Sequence, residues 1–88
     1  MTANPEIVIP EGTYKIRTYL HDRGTRRRPW AADICAPDGE IDFVYSRSED
    51  RFFRTRAEAI AAAAHLIVTT ADTARRRAES EKTIGFRP

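Results

Sequence analysis

The chain has 88 residues, room for one small domain and no more. Hydrophobic residues make up 41% and charged residues 32%, which excludes a disordered chain and leaves too little bulk for a deep enclosed active site. The formal net charge is only +2, so the overall balance forces no nucleic-acid partner, and there is no apolar run of the roughly 18 residues that a membrane helix needs.

Residues 1–11 hold Pro5 and Pro10 around Ile7, Val8 and Ile9 without sustained alternation, and are expected to form a loose N-terminal arm. From Gly12 onward alternation is strict. Tyr14, Ile16, Thr18 and Leu20 fall on one side and Lys15, Arg17, Tyr19 and His21 on the other, the period-two pattern of a half-buried strand. Residues 22–29 are polar, contain Gly24 and end in Pro29, so they read as a hairpin loop. Trp30, Ala32, Ile34 and Ala36 then alternate with Ala31, Asp33 and Cys35 in a second strand. Pro37, Asp38 and Gly39 make a turn, because proline presets φ and glycine accepts the positive φ a tight turn needs. In the third strand, Ile41, Phe43 and Tyr45 are expected to face inward, against Asp42, Val44 and Ser46.

After a polar stretch at 47–50, Arg51 to Arg54 adds a short extended piece, with one of Phe52 and Phe53 closing the seam between helix and sheet. Thr55 begins the helix. Its hydroxyl can accept a first-turn amide while Glu58 reaches back to the Thr55 amide, a capping box. Ala57, Ile60, Ala61, Ala64, Ile67, Val68 and Ala71 share one helical face. The β-branched run at 67–70 is the expected place for a break. The domain is thus set at 12–78, with a flexible tail over 79–88. The fold class is α+β, a three-stranded antiparallel meander packed on one long C-terminal helix (βββα). Its expected core is Tyr14, Ile16, Leu20, Trp30, Ile34, Ile41, Phe43, Ile60, Ala64 and Ile67.

Chemistry-bearing residues are sparse. Cys35 is the only cysteine, so it forms no intramolecular disulfide and suits a reducing compartment; with no basic stretch leading into an apolar run, the chain is expected to be cytoplasmic. Nucleophilic catalysis would need Cys35 beside His21, yet no orienting group accompanies them. No catalytic residue, metal or cofactor is expected, and the chain reads as a non-enzyme. Asp33 and Asp42 are expected across from each other on the outer sheet face, paired with Lys15 and Arg17 at zero formal charge.

Basic residues concentrate late in the chain. Residues 1–50 carry seven basic and nine acidic side chains, residues 51–88 eight and four. Thirteen arginines accompany thirteen alanines, a composition that coding bias would also produce. The arginines form three clusters: Arg23, Arg26, Arg27 and Arg28; Arg51, Arg54 and Arg56; Arg75, Arg76 and Arg77. The first reading is an interaction or self-associating module that binds a protein partner or a second copy, with no membrane. The alternative is a nucleic-acid-binding module using Lys15, Arg17, Tyr19, Arg26, Arg27, Arg28, Arg54 and Arg56.

Three strands, a tight turn, then Phe53, Thr55, Glu58 and Ala59 opening an Ala-rich helix resemble a group of small bacterial βββα proteins of unknown function, over about residues 13–70. The same stretch is similar, more weakly, to the arm-type DNA-binding domain of tyrosine recombinases, whose three-stranded sheet enters the major groove. That second likeness implies a positive outer sheet face, which the expected zero charge does not supply.

Overall fold

The computed structural model describes residues 4–46 and 52–85, with side chains as far as Ser80. Its elements are β1 (Glu6–Ile9), β2 (Gly12–Leu20), β3 (Trp30–Cys35), β4 (Ile41–Val44) and α1 (Arg56–Gly85). The strands make one antiparallel sheet in the order β1-β2-β3-β4, and α1 packs across one face. The α+β class and the meander are as expected, with one correction: the sheet has four strands, not three.

The added strand comes from the expected loose arm. Ile7 pairs with Tyr14 and Ile9 with Gly12, so Ile7 and Ile9 turn toward the core while Val8 faces solvent. Three consecutive apolar residues hide this alternation. Both prolines suit an edge strand, where a missing N–H is harmless. Pro10 sits in the two-residue turn, and the Pro5 carbonyl accepts the Ile16 amide at 2.9 Å. Gly12 leaves the turn at φ +134°, and a Cβ there would come within 2.6 Å of the Pro37 ring. The β1–β2 and β3–β4 turns therefore meet through a position open only to glycine.

In β2 and β3 the even-numbered residues face the helix, as read from the sequence. Ile16 lies opposite Ile34 and Thr18 opposite Ala32, and Ile16, Ala32 and Ile34 are buried. Leu20 is an exception at 65% exposure. The reason is where α1 begins: its first residue, Arg56, already reaches Thr18 (Nε to Oγ1, 3.0 Å), so Leu20 lies past the cover.

β4 reverses the expected parity. Turn residues 36–40 set a register that places Cys35 opposite Ile41, Ile34 opposite Asp42 and Ala32 opposite Val44. Val44 is therefore buried under the helix, whereas Ile41 is 55% exposed and Phe43 lies on the outer face. Asp33 and Asp42 fall on opposite faces, so they do not face each other. Turn geometry decides register, and a one-residue shift moves every side chain to the other face.

Phe53 closes the seam, exchanging backbone hydrogen bonds with Trp30 (2.8 and 3.1 Å), and is buried. Arg51 lies outside the described residues. Thr55 caps α1 through its Oγ1, which accepts the Glu58 amide at 3.1 Å. Glu58 reaches one residue further back than expected, accepting the Arg54 amide at 3.1 Å. The buried row is Ala59, Ala63, Ile67 and Ala71, with Ile60 and Ala64 flanking it, while Val68 faces solvent. No break occurs at 67–70, because burial of Ile67 and Ala71 anchors both sides of the β-branched run. The helix continues through the expected tail as far as Gly85; residues 86–88 lie outside the described residues. At about 45 Å for 30 residues, α1 overruns the sheet, and the molecule extends 59 Å along its longest axis.

One ion pair ties the helix to the β1–β2 turn. Arg75 donates from Nε and Nη2 to the two carboxylate oxygens of Glu11 at 2.7 and 2.8 Å. The Arg75 hydrogen bond holds the Glu11 carboxyl below its ordinary 4.5, with partial burial opposing it. A lowered folded value means that this pairing stabilises above the ordinary carboxylate range and is lost as pH falls through the folded value. Glu11→Gln should therefore lower amide-exchange protection in residues 72–80 at pH 7 while leaving the strands unchanged, and the difference should vanish in acid. Unchanged protection in the variant would mean that other interactions hold this part of α1.

Candidate functional site

The outer sheet face is built from the odd-numbered positions of β2, β3 and β4. At its centre Asp33 is only 7% exposed. Arg17, directly opposite, donates from Nη2 to Oδ2 at 2.6 Å, and the Tyr19 hydroxyl donates to Oδ1 at 3.2 Å. The expected Arg17–Asp33 pair is thus present. Its hydrogen bond and charge raise the Arg17 guanidinium further above its ordinary value. Tyr19 is likewise pushed up, first by burial, then by the Asp33 charge and hydrogen bond. The face keeps a formal charge of zero with a different membership: Asp42 has left it, and Glu6 has joined it opposite Lys15.

Over this face runs an aromatic row that the sequence pattern does not reveal. Ring centroids are 6.0 Å apart from Tyr19 to His21, 4.9 Å from His21 to Phe52, 6.2 Å from Phe52 to Phe43 and 4.8 Å from Phe43 to Tyr45. The row explains why Ala31 and Asp33 are buried on the side away from the helix. The available signal is the outward parity of His21 together with the adjacency of Phe52 and Phe53, which forces their rings to opposite sides.

The arginines separate into two ends. In the β2–β3 loop, Thr25 and Arg28 exchange backbone hydrogen bonds at 3.2 Å, and Thr25 Oγ1 accepts the Arg28 amide at 3.1 Å. This closed turn sets Arg27 and Arg28 beside Arg54, and with Thr25 they line an open notch of about 550 Å³. Arg26 is exposed on the same loop. Arg56 is not part of the notch, being turned to Thr18 on the helix side, and Arg17 is engaged by Asp33. Lys15 lies further along β2, opposite Cys35. Arg75 and Arg76 are at the far end of the fold, paired with Glu11 and Asp72.

A third feature follows β4. Because α1 sits over β2 and β3, the inner side of β4 borders an open groove of about 620 Å³, lined by Val44, Tyr45, Phe53, Ala61, Ala62 and Leu66 among others. Leu66 also borders a second hollow of about 420 Å³ over Ile34 and Ala71. Tyr45 is 61% and Leu66 41% exposed.

Cys35 and His21 do not meet. Cys35 lies opposite Lys15, six residues from His21 along the chain of β2, about 20 Å at the rise of a strand. Among the described residues there is no group of three or more potential metal ligands, and no helix is long and apolar enough to cross a membrane. Comparison with protein-family models, with curated proteins and with solved structures gives no match for this chain.

Proposed function

We propose that the chain is a small non-enzymatic interaction module that pairs with a second copy of itself through the β4 edge. The observation that carries this reading is the apolar side chains exposed along that edge: Ile41 on its outer side, and Tyr45 and Leu66 beside a groove floored by Val44 and Phe53 on its inner side. An outermost strand presents unpaired backbone groups and invites a further strand, unless charge or proline blocks it. β1, the opposite edge, is flanked by Pro5 and Pro10. The separation of Cys35 from His21 supports a non-catalytic role, and the single cysteine suits a cytoplasmic setting.

The side chains also select a register. An antiparallel pair of β4 strands related by a two-fold axis must centre on one residue. Centring on Asp42 would set two carboxylates directly opposite each other, which is unfavourable. Centring on Phe43 instead sets Asp42 against Val44 and Ile41 against Tyr45, and joins the two aromatic rows. Light scattering behind a sizing column should give twice the 10.0 kDa chain mass, and Ile41→Lys should return it to the single-chain mass with an unchanged circular dichroism spectrum. A wild-type mass of one chain at high concentration would refute the pairing.

A further inference from the structure

We propose that the arginine-lined end of the sheet binds single-stranded nucleic acid, with Arg27 and Arg54 holding phosphates and the aromatic row stacking bases. Two independent observations converge there. The first is the notch, whose loop is locked by Thr25. Among the described residues, Arg23, Arg26, Arg27 and Arg54 make no side-chain ion pair. Glu58, four residues beyond Arg54, is occupied in capping the Arg54 amide.

The second is the row of rings beginning at the base of the same loop. The chain leaves β2 at His21, whose ring packs on Phe52 at 4.9 Å, and Arg54 lies only two residues beyond Phe52. Phosphate-binding and stacking groups are therefore adjacent. A charged groove beside a run of aromatic faces is what single strands require, since their bases are free to stack on side chains. A duplex keeps its bases stacked inside and would need positive charge across the sheet. Here Asp33 neutralises Arg17, and the net charge of the outer face is zero. An acidic protein segment would satisfy the arginines but leave the rings without a role.

Fluorescence anisotropy with a labelled 12-mer of uridine, a 12-mer of thymidine and a 12-base-pair duplex tests the assignment in low salt. Either or both single strands should bind, with the duplex about tenfold weaker or more. The double variant Arg27→Ala/Arg54→Ala should weaken single-strand binding and flatten its salt dependence by about 1.4 in log–log slope, at about 0.7 for each phosphate that is no longer neutralised. His21→Ala should weaken it about fivefold or more through reduced stacking, with circular dichroism confirming the fold. The same binding should persist in the Ile41→Lys protein, which separates this site from the β4 pairing. The assignment falls if no single strand binds at tens of micromolar. It also falls if duplex or polyglutamate binds as tightly, or if the double arginine variant behaves as wild type.

Discussion

Replacing Ile16 with alanine should cost about 2–5 kcal/mol, the range for truncating a fully buried isoleucine. For 88 residues the whole stability is about 4–13 kcal/mol, so the variant should melt about 8–40 °C lower, at about 4–8 °C per kcal/mol. Ile16 is fully enclosed between Ile34 and the Ala59–Ala63–Ile67 row, and alanines on the helix have no bulk to follow into the gap. Leu20→Ala, in the same strand and of the same parity, should cost no more than about 0.5 kcal/mol because Leu20 is mostly in water. Urea or thermal unfolding of the pair checks the boundary of the helix cover. Equal losses at the two positions would mean that α1 reaches over Leu20.

The second large effect lies on the outer face. Asp33→Asn keeps an oxygen for Arg17 and Tyr19 but loses charge assistance, and should cost about 1–2 kcal/mol. Arg17→Met should be the more damaging change, because it strands a buried carboxylate with only the Tyr19 hydroxyl at 3.2 Å. Tyr19 supplies a separate readout. Its phenol is raised above the ordinary 10.0 by burial and by Asp33, so this contribution to stability is complete below pH 10 and declines as pH rises through the folded value. Ring resonances of Tyr19 should titrate at lower pH in Asp33→Asn than in the wild type. A milder effect of Arg17→Met than of Asp33→Asn, or an unmoved Tyr19 titration, would contradict the network drawn around Asp33.

Legibility follows the physics of each segment. β2, β3, the turn with Gly39 and the Thr55 cap are readable because each obeys a local rule: period-two alternation, a glycine at positive φ, or a hydroxyl beside a free amide. β1 is hidden because Val8 is apolar yet exposed, so Ile7-Val8-Ile9 shows no alternation. The facing of β4 misleads because Ile41, Phe43 and Tyr45 outweigh Val44 in bulk, and bulk favours the core only when a sheet has one covered face. Here the outer face carries its own layer of rings over Ala31 and Asp33. The helix phase is blurred by alanines on several sides, since Ala57 and Ala61 resemble Ala59 and Ala63 to any periodicity. Of the candidate site, the Arg17–Asp33 pair follows from parity. The grouping of Arg27, Arg28 and Arg54, by contrast, depends on a loop fold that no local rule specifies.

Pairing through β4 is tested most directly by disulfide trapping. With Cys35→Ser removing the native thiol, Phe43→Cys places one cysteine at the proposed two-fold axis, where paired strands hold opposite Cα atoms about 4.5–5.5 Å apart, inside disulfide range. Mild oxidation should convert the protein to a covalent dimer within minutes, whereas a cysteine at Val8, on the opposite edge, should remain largely monomeric under the same conditions. A Phe43→Cys protein that stays monomeric, or a Val8→Cys protein that links as readily, would contradict pairing through β4.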